Sequence, residues 1–123
     1  MPKHSDVYVA YRKLLEEEKI EPNIELERKM TTSKVRSQSG VAPMAVMTKA
    51  FHCPGECIYC PLEAGLPKSY LPDEPAAQRA LKFEFDPYKQ VESRLAQLEK
   101  TGHKTDKVEL IVIGGTFGAY PDD

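Results

Sequence analysis

The chain has 123 residues, of which 41% are hydrophobic, and its formal net charge is −2. This length is enough for one small domain or for part of a larger one. No apolar run approaches the roughly 18 residues of a membrane span, and the first residues lack the apolar stretch of a secretory signal peptide. We therefore expect a cytoplasmic protein with no membrane partner, in a reducing compartment that also suits free thiols.

Two helices are predicted near the start of the chain. Ser5 is a candidate cap for a first helix that reaches about Lys19. The predicted apolar face of this helix consists of Val7, Tyr11, Leu14 and Leu15. Pro22 is predicted to open a second, shorter helix that ends at about Met30. Residues 31–43 are rich in Ser, Thr, Gly and Pro, which favours a loop.

A basic stretch overlaps this loop. Between Arg28 and Lys49 the chain has five basic residues and no acidic residue. The five are Arg28, Lys29, Lys34, Arg36 and Lys49. A local basic arm on a mildly acidic chain can contact phosphate groups. A solvated linker is the alternative that charge alone leaves open.

The next segment joins a short apolar run to a group of cysteines. Residues 44–48 predict a buried parallel strand that delivers the following loop at its carboxyl end. That loop contains all three cysteines of the chain, Cys53, Cys57 and Cys60, in a C-x3-C-x2-C pattern. Thiols this close together favour one shared metal centre over a disulfide framework. A zinc site usually takes four ligands, whereas a [4Fe–4S] cube held by three cysteines leaves one iron open. An opportunistic zinc or redox site is the alternative.

Two further helices are predicted after a loop over residues 61–72. Asp73 or Glu74 is a candidate cap for the first, with Pro75 in its opening turn. The second begins at Asp86-Pro87 and ends before Gly102. Its predicted apolar stripe consists of Tyr88, Val91, Leu95 and Leu98. Arg79 and Arg94 are interpreted as solvated positions on these helices.

A second strand is predicted over residues 107–113, where nearly every side chain is apolar, so we expect it to be buried. Gly114, Gly115 and Thr116 follow it directly. Strand, helix and strand make one βαβ unit with an expected right-handed crossover. The cysteine loop and the glycine loop then leave the sheet at the same edge, where ligands bind in parallel α/β folds. Glycine lacks a Cβ atom, so the backbone here can approach a ligand closely.

The cysteine pattern, with the aromatic residue Tyr59 before the last cysteine, resembles the cluster loop of the radical S-adenosylmethionine (SAM) superfamily. The resemblance implies that Cys53, Cys57 and Cys60 ligate a [4Fe–4S] cluster whose open iron chelates the methionine part of SAM. Reductive cleavage of SAM then gives a 5′-deoxyadenosyl radical. Tyr59 would either rest against the adenine of SAM or shield the cluster from solvent.

A longer series of stretches resembles a more specific family, the catalytic subunit of the Elongator complex and its single-chain archaeal and bacterial relatives. The resemblance runs from about Arg36 to the end of the chain. The stretches that carry it are 36–49, 53–61, 69–70, 74–75, 79–80, 86–88, 102–103, 106–108 and 114–117.

This resemblance implies an enzyme that forms a carboxymethyl group at C5 of the wobble uridine of tRNA, from SAM and acetyl-CoA. It implies that Gly114, Gly115 and Thr116 meet the methionine end of SAM. It also implies that Lys107 is linked to acetyl-CoA; on its own this residue would be interpreted as a surface lysine at the start of a strand. Lys34 and Arg36 are the predicted tRNA contacts. Elongator-like subunits or a second copy of the chain are the implied protein partners.

Three departures from the family pattern bear on the prediction. Pro61-Leu62-Glu63 stands where the family has Pro-Gly-Gly, and the first cysteine gap is shorter than in the family. The chain also ends after its second predicted strand, so we expect a fragment without turnover that lacks the downstream barrel and the acetyltransferase domain.

The resulting prediction is an α/β fold, with N-terminal helices followed by the first βαβ unit of a partial radical SAM (β/α) barrel. Residues 1–43 are assigned to a helical, basic tRNA-binding segment and residues 44–123 to the start of the radical SAM domain. No catalytic residue is assigned. The competing hypothesis is a non-catalytic module that binds iron–sulfur, zinc or RNA.

Overall fold

A computed structural model describes residues 2–122. Within this range it contains four α-helices, two β-strands and two short 3₁₀ helices. In chain order they are α1 (His4–Glu16), α2 (Ile24–Met30), a 3₁₀ helix (Lys34–Ser37), β1 (Ala42–Met47), α3 (Pro75–Lys82), α4 (Pro87–Lys100), β2 (Val108–Ile113) and a 3₁₀ helix (Phe117–Ala119). This mixture of helices and strands is compatible with the predicted α/β class. None of the helices within residues 2–122 is long and apolar enough to span a lipid bilayer.

The chain divides into two compact units. The first contains the residues up to Pro43 together with Ser93–Glu109. The second contains Met44–Glu92 together with the residues from Leu110 onward. Each unit is described by itself below.

In the first unit, hydrogen bonds of Tyr11 connect α1 to the start of α2. The side chain of Tyr11 is buried, and its hydroxyl accepts a hydrogen bond from the Asn23 backbone N–H at 2.8 Å and donates one to Glu27 Oε1 at 3.1 Å. Asn23 in turn caps α2, because its side-chain oxygen accepts from the Leu26 N–H at 3.0 Å. One buried tyrosine and one cap therefore set both the contact between these helices and the start of the second.

The predicted bounds of the first two helices were wrong at three of their four ends. The first helix has Lys3 at its N-cap, so Ser5 lies inside it, and it ends at Glu16 rather than Lys19. The second begins after Asn23 rather than at Pro22, because the asparagine supplies the capping oxygen. Its predicted end at Met30 is confirmed.

The predicted apolar face of α1 is only partly confirmed. Tyr11 is buried and Leu15 is half-buried, but Val7 and Leu14 are exposed. The half-buried position nearest Tyr11 on the helix is instead Tyr8. The face that packs is set by the short partner helix, which apolar periodicity in α1 alone does not describe.

The two strands form one parallel pair. The Ala42 N–H donates to the Lys107 carbonyl and the Thr48 N–H to the Ile113 carbonyl, both at 2.9 Å. The donors and the acceptors are each six residues apart and run in the same direction, which is the pattern of parallel strands. The predicted strand over residues 44–48 is therefore confirmed, although it begins two residues earlier.

The prediction that β2 is buried was wrong. Leu110, Ile111 and Val112 are 56%, 41% and 50% exposed, whereas Ala42, Met44 and Val46 of β1 are buried. Within the described residues β2 pairs only with β1, so its apolar side chains lack a covering layer. An apolar run predicts a strand from its residue types, but its burial depends on its neighbours.

The core of the second unit lies between β1 and α3. Met47, Leu66, Ala77 and Ala80 form this core. Two alanines on one face of α3 allow the helix to approach the strand closely. Pro75 occupies the first turn of α3, as predicted, but the side chain of Glu74 accepts from the Leu71 N–H at 3.1 Å and does not cap the helix.

Helix α4 begins and ends where its sequence signals predict. Asp86 Oδ1 accepts from the Lys89 N–H at 3.0 Å, and Gly102 adopts a φ of +85° just after the last turn. The apolar stripe was partly wrong, because Leu98 is buried but Tyr88 is 73% exposed. The fully buried residue in the first turns of α4 is instead Gln90.

Side chains from α3 and α4 form hydrogen bonds with the outer edge of β1, which is the edge that does not pair with β2. Gln90 Oε1 accepts from the Met47 N–H, and Gln90 Nε2 donates to the Met47 carbonyl, both at 3.0 Å. Arg79 Nη2 donates to the Ala45 carbonyl at 2.7 Å. Because Ala42 and Thr48 use the other edge for β2, these side chains take the place of a neighbouring strand. Arg79 is thus not the solvated residue predicted, and partial burial lowers the pKa of its guanidinium.

Candidate functional site

The candidate site lies in the second unit, at the carboxyl ends of the two strands. The last bond between them runs from the Thr48 N–H to the Ile113 carbonyl, after which the cysteine loop and the glycine loop begin. Cys53 Sγ and Thr116 Oγ1 are 3.0 Å apart, although 63 residues separate them in sequence. The parallel strands therefore bring one predicted cluster ligand against one predicted SAM-binding residue.

The cysteine loop turns around Gly55. A Cβ atom built on Gly55 would lie 3.6 Å from both Cys53 Sγ and Cys57 Sγ, so the two sulfurs flank the same side of the glycine. A backbone hydrogen bond of 3.2 Å from the Cys60 N–H to the Cys57 carbonyl closes the turn that follows. All three cysteines are free thiols. Among residues 2–122, however, no group of three or more Cys, His, Asp or Glu side chains is arranged so that it could hold a metal ion.

The surroundings of Cys53 favour its thiolate form. The pKa of Cys53 is lowered, mainly because the Thr116 hydroxyl donates to its sulfur, with further help from the Gly55 N–H and the charge of Lys68. The pKa of the Tyr59 hydroxyl is raised, first by its hydrogen bond to Cys57 and then by the negative charge of the Cys57 and Cys60 sulfurs. Thiolates are the ligands of iron–sulfur clusters. The donor set and the space that Gly55 leaves between two sulfurs therefore fit such a cluster, although the loop is not closed around one.

The loop after the cysteines forms a further wall of the site. Lys68 Nζ donates a hydrogen bond to the Gly55 carbonyl. The Lys68 backbone nitrogen lies 4.0 Å from the position that a Cβ on Gly115 would occupy. Lys68 thus contacts the cysteine loop through its side chain and borders the glycine loop through its backbone. The sequence offered no signal for this lysine, because the surrounding loop has no periodicity.

The glycine loop passes close to the end of β1. A Cβ atom on Gly114 would overlap Thr48 Oγ1, so any larger residue at this position would force the Thr48 side chain to move. The Gly115 N–H donates to the Tyr120 hydroxyl at 3.4 Å. Sequence reasoning missed both Thr48 and Tyr120. A threonine at a strand end and a tyrosine after a glycine loop are common residues, and only the fold shows that they meet.

The remaining predicted site residues lie at the surface. Tyr59 is 82% exposed beside the cysteines. Lys34 and Arg36 are exposed on the 3₁₀ helix of the first unit. Lys107 is also exposed and belongs to the first unit, where its backbone carbonyl accepts from Ala42. The ligands predicted for these four residues stay predictions.

Curated proteins of known name are similar to most of this chain, although no protein-family model matches it. Over 82 residues it is 57% identical to the tRNA uridine(34) acetyltransferase of Dehalococcoides mccartyi. That match covers 67% of this chain and 18% of the relative. It is 54% identical over 91 residues to the protein of the same name from Methanocaldococcus jannaschii, covering 69% of this chain and 17% of the relative. Over 111 residues it is 40% identical to Elongator complex protein 3 of Schizosaccharomyces pombe. That match covers 79% of this chain and 20% of the relative. The chain thus spans about a fifth of the length of these relatives.

Proposed function

The chain belongs to the family of the Elongator catalytic subunit and the tRNA uridine(34) acetyltransferases, and from that premise we propose that it contributes the metal- and SAM-binding site of an enzyme that modifies the wobble uridine of tRNA. The observation that carries the proposal is the contact of 3.0 Å between Cys53 Sγ and Thr116 Oγ1. It joins the loop that holds the thiols to the glycine loop at one edge of the sheet, where parallel α/β folds bind ligands.

The residues present suit a [4Fe–4S] cluster, with Cys53, Cys57 and Cys60 as its ligands. When bound, the cluster supplies the electron for cleavage of SAM. Gly55 leaves room between two of the sulfurs, and Lys68 holds the Gly55 carbonyl. Gly114 and Gly115 lack Cβ atoms, so the amino and carboxylate groups of the methionine moiety can approach the glycine loop closely. Tyr59 offers an exposed ring beside the cysteines for the adenine.

The proposed product is 5-carboxymethyluridine, with acetyl-CoA as the source of the two-carbon unit, so the enzyme would be a transferase acting in the cytoplasm. This finer assignment rests on the family resemblance together with the tRNA uridine(34) named in two of the relatives. Elongator-like subunits are proposed partners because Elongator complex protein 3 is a relative. The further barrel strands and the acetyltransferase domain are proposed parts of the complete enzyme.

The proposal is tested on the intact protein, purified and reconstituted with iron and sulfide without oxygen. SAM, acetyl-CoA, a reductant and unmodified tRNA are added, and the nucleosides are analysed by mass spectrometry. Formation of 5-carboxymethyluridine at the wobble position that depends on both SAM and acetyl-CoA is the expected result. A protein that takes up one zinc ion and binds tRNA without modifying it would instead be the non-catalytic module.

The replacement Lys107→Ala tests the proposed link to acetyl-CoA. A lysine ammonium can pair with a phosphate or polarise the thioester, so we expect acetyl-CoA hydrolysis and uridine modification to fall at least tenfold. Because the side chain is exposed, stability should change by no more than about 0.5 kcal/mol. Iron content and SAM cleavage should be unchanged.

The matched control for Lys107 is Lys104→Ala, which removes another exposed lysine three positions earlier. This variant should behave like the parent in every assay. Modification of tRNA by Lys107→Ala at the parental rate would show that the family role does not extend to this position. Loss of the cluster together with unfolding would make Lys107 a structural residue.

The double replacement of Lys34 and Arg36 by Ala tests the proposed tRNA contacts. Both side chains are exposed, so their effect should be electrostatic. We expect weaker tRNA binding and a log–log salt dependence that is flatter by about one unit for each phosphate that is no longer neutralised. The measurement is tRNA affinity across a series of salt concentrations.

A matched control for the tRNA contacts is the double replacement of Lys13 and Lys19 by Ala. It removes the same charge, but both of these lysines already pair with Glu17. This control should leave the salt dependence nearly unchanged. If the Lys34 and Arg36 variant keeps both the parental affinity and the parental slope, the stretch is a plain linker.

A further inference from the structure

The hydroxyl of Tyr120 forms hydrogen bonds with three chain segments in the second unit. It lies 2.8 Å from Thr48 Oγ1 at the end of β1 and 3.0 Å from the Lys49 carbonyl at the start of the cysteine loop. It also lies 3.4 Å from the Gly115 nitrogen in the glycine loop. The last bond of the strand ladder is at Thr48 and Ile113, so Tyr120 continues the connection between the two loops beyond the end of the sheet.

The chemistry of a phenol assigns a direction to each of these bonds. A tyrosine hydroxyl has one proton and two acceptor lone pairs. The Lys49 carbonyl can only accept and the Gly115 N–H can only donate, so Tyr120 donates to Lys49 and accepts from Gly115. Its second lone pair then accepts the proton of the Thr48 hydroxyl at 2.8 Å, for which the Ile113 carbonyl at 3.4 Å is the more distant acceptor. All of the hydrogen-bonding capacity of Tyr120 is therefore used to connect the two loops.

Aromatic packing holds the ring of Tyr120 in this place. The ring stacks on Phe51 with centroids 5.3 Å apart, and Phe51 precedes Cys53 by two residues. Phe117, just after the glycine loop, lies tilted by 41° against the ring of Tyr120, with centroids 6.2 Å apart. The ring thus contacts the same two loops that the hydroxyl connects. A Cβ on Gly114 would lie 3.1 Å from the hydroxyl, so the hydroxyl also borders the glycine loop at this residue.

We propose that Tyr120 is a positioning residue that fixes the glycine loop against the start of the cysteine loop and thereby sets the affinity for SAM. The inference rests on the proposed function, since it assigns a role to Tyr120 in the same cofactor site. Tyr120 itself does not touch SAM in this proposal. It acts through Gly115, whose backbone it holds, and through Lys49 and Phe51, which lead into the cysteines.

The variant Tyr120→Phe tests the proposal, because it keeps the stacked ring and removes only the hydroxyl. In the intact, reconstituted protein we expect the dissociation constant for SAM to rise about tenfold, as loss of the hydrogen bonds to Thr48, Lys49 and Gly115 predicts. Iron and sulfide content should match the parent. The change that SAM causes in the EPR spectrum of the reduced cluster should require correspondingly more SAM.

Two variants of Thr48 provide a second, independent test. Thr48→Val removes the hydroxyl that donates to Tyr120 while keeping the shape of the side chain, so it should also weaken SAM binding. Thr48→Ser restores the hydroxyl and should restore parental affinity. Tyr88→Phe is the matched control, because Tyr88 is 73% exposed on α4, and this variant should bind SAM like the parent.

The outcomes separate this inference from the proposed function. A parent protein that assembles no cluster or shows no SAM binding overturns the proposed function itself. A parent that binds SAM, with Tyr120→Phe and Thr48→Val binding equally well, overturns the role of Tyr120 alone. If Tyr120→Phe loses its iron or fails to fold, the Thr48 pair decides, and equal SAM affinities for Val and Ser reject the proposal.

Discussion

Replacing Cys53 with Ser should abolish cluster assembly in this protein. The chain has three cysteines, all within residues 53–60, so these 123 residues offer no other cysteine to replace a missing ligand. After anaerobic reconstitution the parent should carry about four irons and four sulfides, whereas the variant should retain less than about one of each. Iron and sulfide analysis, together with the EPR spectrum of the reduced protein, measures the effect.

Ile58→Ala is the matched control for the cysteine variant. Ile58 lies in the same loop and its side chain is fully exposed, so its removal leaves the three thiols and the packing of the loop unchanged. This control should assemble the parental amount of cluster. Tight binding of one zinc ion by the parent, with no EPR signal that responds to SAM, would contradict the assignment, as would a full cluster in Cys53→Ser.

The elements of this chain that could be predicted from sequence are those with local signals. Pro75 and Asp86-Pro87 mark helix starts, Gly102 marks a helix end, and apolar runs mark both strands. Each of these features acts within a few residues of itself, through a fixed φ, a capping oxygen or a missing Cβ. The structure confirms all of them, with shifts of one or two residues at the strand ends.

The features that sequence could not supply depend on partners far along the chain. Gln90 bonds to Met47 across 43 residues, and Tyr120 bonds to Thr48 across 72. Polar residues on a helix are normally expected at the surface, so Gln90 did not stand out as a core residue. The exposure of β2 was missed for the same reason, because a strand's residues do not specify what covers it.

The position of the candidate site was predictable from the sequence, but the residues that hold its two loops were not. The spacing of the cysteines indicates a shared metal centre, and parallel topology places the glycine loop beside it. The contact between Cys53 and Thr116 has the arrangement that this argument requires. Lys68 and Tyr120, which hold the two loops, belong to no motif. Their contribution appears only once the loops have been placed in three dimensions.

Replacing Gln90 with Met should destabilise the protein strongly. Methionine has nearly the same length and shape but offers neither a strong donor nor an acceptor, so the N–H and carbonyl of Met47 would be left without partners. Both residues are at most 1% exposed, so water cannot replace the missing bonds. An unsatisfied buried polar group costs about 1–3 kcal/mol, so the free energy of unfolding should fall by roughly 2–4 kcal/mol. The urea midpoint should then fall by on the order of 1–2 M.

Gln97→Met provides the control for this prediction. It makes the same substitution on the same helix, but Gln97 is exposed, so its stability should stay within about 0.5 kcal/mol of the parent. The difference between the two variants isolates the pairing with Met47 from any effect of methionine on helix α4. If Gln90→Met unfolds at the same urea concentration as Gln97→Met, the bonds from Gln90 to Met47 do not stabilise the outer edge of β1. In that case the edge must be stabilised by packing and by the bond from Arg79 to the Ala45 carbonyl.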